Sequence, residues 1–187
     1  EGGTENIMSG NMDDWAGGYI GLLTFSTEAE FSNVQFTDRT VRVDESLFHT
    51  TLENLRGLQG SWKITDNGMH SQGSGDNFAI SDTKIENFEY SANINNLDKN
   101  GAGALMFRVQ NPANPKDGCY VMNADYKNNI FKLFEFPSGA SIAEVPLSDV
   151  EPNADGSYDM KVVVVGEDIY VYANGKGIMR EKDSRHK

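Results

Sequence analysis

The chain has 187 residues, a length that suits one β domain with a sizeable core. Its 16 Lys and Arg against 28 Asp and Glu give a net charge of −12, which repels polyphosphate backbones and anionic membrane surfaces. We therefore expect neither nucleic acid nor a membrane as a partner, and the single cysteine, Cys119, excludes an internal disulfide.

The first third of the chain mixes polar loops with two β-rich runs. Residues 1–18 are polar and rich in glycine, which predicts a flexible leader. The runs at residues 19–25 and 28–36 meet at Ser26-Thr27 and predict a hairpin. Residues 45–58 carry leucines near helical spacing, which predicts one short helix that ends at Gly57 or Gly60.

From residue 60 onward the pattern is β throughout. Short apolar runs recur about every 8 to 12 residues between Gly, Asn and Asp turns, as is typical of a two-sheet antiparallel β-sandwich. The charged C-terminal residues 179–187 lack the pattern of a further strand. The runs span residues 60–65, 68–72, 77–81, 88–94, 102–110, 118–125, 129–136, 141–145, 158–165 and 168–173.

Residues 102–136 form three of these runs, joined by short turns. Apolar residues alternate there with neighbours that include Arg108, Asp125 and Lys132, so one face is expected to enter the core while the other presents polar groups to solvent. We expect the function on that second face.

Residues 52–176 carry seven segments that resemble, in the same order, the fructan-binding carbohydrate-binding modules of family 66, which accompany bacterial levanases and exo-fructosidases. The segments are GSWKITDNGMHSQGSGDNFAIS, FEYSANI, GAGALMFRV, GCYVMNAD, IFKLFEF, YDMKVVV and IYVYANG. The resemblance implies a concanavalin-like or laminin-G-like jelly roll without catalytic activity. It also implies a secreted or bacterial cell-surface monomer, linked to a catalytic domain and binding levan or another fructan.

The order of the strands departs from the family pattern. A strand pair that closes the family pattern stands here at residues 18–36. We favour a single sandwich over residues 19–187 that this pair completes, because a module without it would expose long unpaired edges. The alternatives are that the pair is the tail of a preceding repeat or is donated between chains.

Recognition of a sugar requires convergent donors and acceptors, usually beside an aromatic ring. We predict a shallow pocket for terminal fructose on the outer face of one sheet. The alternatives are a cross-strand charge ladder for the charged residues of the central strands, solvated surface for Glu89 and a core position for Tyr120. The candidate ligand-binding residues are Arg108, Asp125, Lys132, Asn123, Glu89 and Tyr120.

No cofactor is expected. The acidic loop at residues 149–155 has oxygen ligands that would suit structural calcium, but its spacing is not that of a calcium loop. At residues 74–77 a turn is favoured over a cation site for Asp76.

No motif predicts catalysis. The sequence lacks a close carboxylate triplet and the signatures of a fructosidase. Two alternatives to a binding module stay open. One is a sandwich-fold hydrolase acting on a disaccharide or glucan, and the other is a structural or adhesion repeat.

Overall fold

The computed structural model describes residues 17–38, 55–65 and 68–186. These residues form fourteen strands and two single turns of 3-10 helix, Pro115–Asp117 and Leu147–Asp149. Within this part of the chain, no helix is long and apolar enough to cross a membrane. In chain order the strands are β1 (Gly18–Phe25), β2 (Glu28–Asp38), β3 (Leu55–Gln59), β4 (Ser61–Thr65), β5 (Gly68–Gln72), β6 (Asp76–Ile85), β7 (Phe88–Asn96), β8 (Ala102–Val109), β9 (Cys119–Asp125), β10 (Ile130–Phe136), β11 (Ser141–Pro146), β12 (Tyr158–Val165), β13 (Asp168–Ala173) and β14 (Lys176–Lys182).

The strands form two seven-stranded antiparallel sheets that pack face to face. Sheet A has the order β11-β10-β9-β8-β1-β6-β3, and sheet B has the order β14-β13-β12-β7-β2-β5-β4. The β-sandwich predicted from the spacing of strands and turns is therefore confirmed.

Alternation along the strands builds the core between the sheets. In β7, Phe88, Tyr90, Ala92 and Ile94 are buried, while the residues that alternate with them are partly exposed. Each such apolar side chain contributes about 1.5–3 kcal/mol on burial. The hydroxyl of Tyr90 donates to the carbonyl of Gly21 at 3.1 Å, which ties sheet B to the middle of sheet A without an unpaired polar group.

Strands β1 and β2 lie inside the two sheets, each as the fifth of seven strands. β1 pairs with β6 and β8, and β2 pairs with β5 and β7. The predicted hairpin between them is wrong, because Ser26-Thr27 carries the chain from one sheet to the other. The amide of Ser26 donates to the carbonyl of Gly75 at 2.9 Å, and the buried hydroxyl of Thr27 donates to the carboxylate of Asp98.

Two further predictions about the chain need correction. The helix predicted over residues 45–58 is wrong where the structure describes it, because Leu55–Gln59 pairs with β6 as strand β3. A final strand also exists, since β14 pairs with β13 after a turn at Asn174-Gly175, whose positive φ angles of 46° and 75° suit a tight hairpin. β14 is an edge strand whose charged residues face solvent. Its sequence therefore lacks the apolar alternation from which the other strands are predicted.

Some predictions fall on residues outside the described ranges. These are the flexible leader, apart from its last two residues, and the helix before residue 55.

Candidate functional site

The outer face of sheet A is mostly apolar. We expected its central strands to present polar groups there, but β8 and the first six residues of β9 are buried on both faces. The burial of Cys119 in this layer raises the pKa of its thiol to about 12, which keeps it protonated. The apolar layer consists of Leu23, Phe78, Ile80, Ala104, Met106, Val109, Cys119 and Val121.

A cavity of about 290 Å³ opens on this face where the apolar layer gives way to polar residues. Leu23, Ala102 and Ala104 contribute apolar lining on β1 and β8. Three phenylalanines, two carboxylates, two ammonium groups and one amide complete it. They are Phe25, Phe134, Phe136, Asp76, Asp125, Lys116, Lys132 and Asn123.

The pairing of β9 with β10 brings three predicted residues into this cavity. Lys132 lies directly opposite Asn123 across the two strands. Asp125 lies two residues beyond Asn123 and so shares its face. Asn123, Asp125 and Lys132 therefore line one cavity, whereas the other three candidates do not.

Asn123 presents an unsatisfied acceptor at the cavity. The residue is 9% exposed, and its Oδ1 atom is buried without a hydrogen-bond partner among the residues that the structure describes. A buried polar atom without a partner costs about 1–3 kcal/mol. A ligand that donates a hydrogen bond at this point would recover that cost, and a sugar hydroxyl is such a donor.

The carboxylate of Asp125 is held in place by the turn that follows it. It accepts hydrogen bonds from the backbone amide of Asn128 at 3.0 Å and from its side-chain amide at 2.7 Å. A carboxylate has about four acceptor positions, so two bonds orient the group and leave capacity for ligand hydroxyls.

Lys132 lies beside an aromatic ring of the cavity. Its Nζ atom is 5.5 Å from the centre of the Phe134 ring and 3.7 Å from a carboxylate oxygen of Glu144. Neither contact is short enough to hold the ammonium group as tightly as a direct hydrogen bond. Lys132 can therefore turn toward a ligand oxygen at low cost.

Sequence reasoning missed the opposite side of the cavity. The ammonium group of Lys116, from the turn before β9, pairs with the carboxylate of Asp76 at the start of β6. It also lies 5.4 Å from the centre of the Phe136 ring. Only the placement of β1 between β6 and β8 brings these loops together, so no local pattern could have shown it.

The aromatic residues of the cavity supply flat apolar surfaces. Phe25 is 52% exposed at the end of β1, so much of its ring is open to solvent. Phe134 and Phe136 meet edge to face, with ring centres 5.3 Å apart. Such rings suit the C–H faces of a sugar, while the carboxylates and amide suit its hydroxyls.

Arg108 does not face this cavity, contrary to our prediction. Tyr19 pairs with Val109 but Gly21 pairs with Met106, so β8 has one extra residue there, and Arg108 has a φ of 50°. This bulge reverses the direction of the Arg108 side chain. A Cβ atom at Gly18 would lie 2.4 Å from the Arg108 backbone, so only glycine fits beside the bulge.

The guanidinium of Arg108 instead joins three backbone segments. It donates to the carbonyl of His186 at 3.1 Å, to that of Glu86 at 3.4 Å and to that of Gly166. The residue is 0% exposed, and burial lowers its pKa from the ordinary value. Arg108 thus has a structural role in this fold.

Tyr120 and Glu89 also lie away from the cavity. Tyr120 is buried between the sheets, where its hydroxyl donates to Asp183 at 2.6 Å and accepts from the amide of His186 at 3.1 Å. Glu89 is on sheet B and pairs with Lys161 at 3.0 Å. The predicted places of Tyr120 and Glu89 in the pocket are therefore wrong, because alternation directs Tyr120 inward and β7 belongs to the other sheet.

The acidic loop before β12 is organised by its own hydrogen bonds. Asp155 accepts from the amide of Ser157 at 3.0 Å, and Asn153 donates to the hydroxyl of Ser157 at 3.1 Å. Within the described ranges, no three His, Cys, Asp or Glu side chains are grouped so that they could hold a metal ion. Structural calcium in this loop stays an untested alternative to the expectation of no cofactor.

Comparison with known proteins relates this fold to carbohydrate-active enzymes. The sequence model of the 3-keto-alpha-glucoside-1,2-lyase-like domain family matches residues 44–187. The chain is 34% identical over 128 residues to a fructan beta-fructosidase from Streptococcus mutans. The aligned segment covers 67% of this chain and 9% of that protein. It is 31% identical over 160 residues to a levanase from Bacillus subtilis, with 81% of this chain and 23% of that protein covered.

A solved structure supports the same relationship. The carbohydrate binding module CBM66 from Bacillus subtilis superposes with a TM-score of 0.61 at 29% identity, covering 70% of this chain and 80% of that one. The resemblance predicted from seven sequence segments is confirmed. The chain spans less than a quarter of the length of either enzyme.

Proposed function

This chain belongs to the 3-keto-alpha-glucoside-1,2-lyase-like domain family, and we propose that it is a non-catalytic module that binds a fructan, with levan the first candidate. A terminal fructose would occupy the cavity on the outer face of sheet A. The observation that carries the proposal is the meeting of Asn123, Asp125 and Lys132 with exposed aromatic surface in one cavity.

The cavity suits a small uncharged ligand. Its volume of about 290 Å³ lies near the lower end of the range for ligand sites. Its two carboxylates and two ammonium groups balance in charge, which gives no net attraction for a phosphate or a uronic acid. One monosaccharide unit at the end of a polymer fits this combination of size and charge.

Each polar residue has a separate task in this proposal. The unpaired Oδ1 of Asn123 accepts a hydrogen bond from a hydroxyl, and the oriented carboxylate of Asp125 accepts from one or two more. Lys132 donates to a sugar oxygen, while Phe25 covers a C–H face. Binding at the end of a chain would raise the concentration of fructan around a linked glycoside hydrolase outside the cell.

Titration calorimetry of the chain against levan, inulin and fructose tests the proposal. We expect heat of binding with fructose and with at least one fructan. Asn123→Ala and Asp125→Ala should each weaken binding at least tenfold, since a hydrogen bond to a charged or buried group is worth about 1.5–3 kcal/mol.

Matched controls for these variants are Asn95→Ala and Asp168→Ala, which lie on sheet B. Both should bind as tightly as the parent chain. Absence of heat with all three ligands would rule out a fructan ligand, and full affinity in both cavity variants would place the site elsewhere.

The family description favours one second candidate, a lyase or hydrolase acting on a keto-disaccharide. Two carboxylates, Asp76 and Asp125, line the cavity as general acid and base chemistry would need. Chromatography of a panel of disaccharides and glucans after incubation would detect it. If the unmutated chain forms a product and the Asp125→Asn variant does not, the chain is catalytic and the non-catalytic proposal is wrong.

A further inference from the structure

A second depression, of about 560 Å³, lies on the outer face of sheet B, on the opposite side of the sandwich from the fructose cavity. Its lining comes from β2, β7, β12 and β13 and from the turn after β13. The side chains that matter below are Asn33, Gln35, Ser91, Asn93, Lys161 and Tyr172. It is larger and more open than the cavity on sheet A.

A bulge in β2 shapes one wall of this depression. Ser32 pairs with Asn93 but Gln35 pairs with Ser91, so β2 has one residue more than its partner between these points. Asn33 adopts a φ of 49° there, and both Asn33 and Gln35 are exposed on either side of buried Val34. The bulge thereby brings two planar amides to the same wall.

The charged groups around the depression are already paired within the protein. Lys161 donates to Glu89 at 3.0 Å and lies 4.9 Å from the centre of the Tyr172 ring. Asp159 accepts from the side-chain amide of Asn93 at 2.8 Å. What remains for a ligand is a neutral set of amides, a hydroxyl and an aromatic ring.

The depression continues along the sheet toward β14. Tyr172 also lines a neighbouring hollow of about 360 Å³ together with Tyr170 and Arg180. From β2 to β14 the sheet spans four strand spacings, about 19 Å. An extended groove of this kind suits a segment of a chain, whereas the cavity on sheet A suits one terminal unit.

From this arrangement we infer that the outer face of sheet B is a second carbohydrate-binding surface, which binds an internal segment of a neutral polysaccharide. Planar amides match neighbouring hydroxyls as donor and acceptor, and the tyrosine rings offer apolar surface to C–H groups. The net charge of −12 disfavours an anionic polymer. Two faces on one module would let it bridge neighbouring chains of an insoluble polysaccharide.

Affinity electrophoresis in gels that contain levan, a neutral mixed-linkage β-glucan or anionic polygalacturonate tests the inference. We expect retardation by a neutral polymer to persist in Asp125→Ala and to weaken at least tenfold when Gln35→Ala and Tyr172→Ala are added to that variant. Thr37→Ala, an exposed change on the same strand, is the control and should leave retardation unchanged. Thermal unfolding confirms that each variant is folded.

Nuclear magnetic resonance of the ¹⁵N-labelled chain separates the two faces. Short oligosaccharides from the polymer that retards the chain should shift the side-chain amide signals of Asn33 and Gln35 in the Asp125→Ala variant. The inference is overturned if Asp125→Ala alone abolishes all retardation, if adding Gln35→Ala and Tyr172→Ala to Asp125→Ala leaves retardation unchanged, or if only polygalacturonate retards the chain. If the unmutated chain binds the neutral polymer through sheet B but shows no binding of fructose, the proposed fructan site is refuted and this inference is not.

Discussion

Replacing Arg108 by alanine should destabilise the fold by about 3 kcal/mol, because it leaves three partly buried carbonyls without their donor, at about 1 kcal/mol or more each. Alanine would also keep the strained positive φ of the bulge, so no relief offsets the loss. A domain of this size has a free energy of unfolding of about 5–15 kcal/mol. The expected fall in Tm is roughly 6–12 °C.

Urea unfolding followed by tryptophan fluorescence measures this change. Arg180→Ala is the matched control, since Arg180 is exposed and only lies 5.4 Å from the ring centre of Tyr170, a contact worth about 0.5–1 kcal/mol. Arg108→Lys should fall between the two, because one ammonium group cannot reach three carbonyls at once. An Arg108→Ala variant that unfolds within about 0.5 kcal/mol of the parent would refute the structural role argued from these contacts.

Three further changes test the C-terminal segment and the cavity. Burial opposes ionisation of Asp183, but hydrogen bonds from Arg185 and Tyr120 outweigh it and hold its pKa at about 2. Its contribution of about 2 kcal/mol is present above pH 4 and lost as pH falls toward 2, so urea unfolding of Asp183→Asn and the parent should converge at low pH. Tyr120→Phe should cost about 1–2 kcal/mol in the same assay and leave the heat of fructose binding unchanged, whereas loss of that heat would return Tyr120 to the site. Lys132→Met should weaken fructose binding about tenfold in calorimetry while exposed Lys63→Met does not, and equal affinities would remove Lys132 from the site.

Local patterns explain which parts of the fold were predictable. The three central strands were predicted at residues 102–110, 118–125 and 129–136, and the structure has them at Ala102–Val109, Cys119–Asp125 and Ile130–Phe136. Alternation and turn residues are properties of neighbours in sequence, so they indicate strands well. The assignment of β1 and β2 to different sheets depends on the strands with which they pair, and those strands lie far along the chain. The local sequence pattern does not indicate which strands pair.

The residues of the candidate site also separate into those that local sequence predicts and those that depend on distant parts of the chain. Alternation along each strand predicts that Asn123 and Lys132 share the polar face, and the structure pairs them directly across β9 and β10. Arg108 was placed on the wrong face because one extra residue in β8 reverses the alternation, and no residue type announces that bulge. Asp76 and Lys116 meet only through the placement of β1, so they were missed.

The interior position of β1 and β2 predicts how a shortened chain would behave. The family match starts at residue 44 and so leaves out both strands. A polypeptide expressed from that residue would have each sheet split into a four-strand part and a two-strand part, with four inner edges open to pair with other chains. Such a fragment should aggregate rather than bind sugar, and Phe25 would be missing from its cavity. The two sheets of this structure therefore include strands that precede the match to the family model.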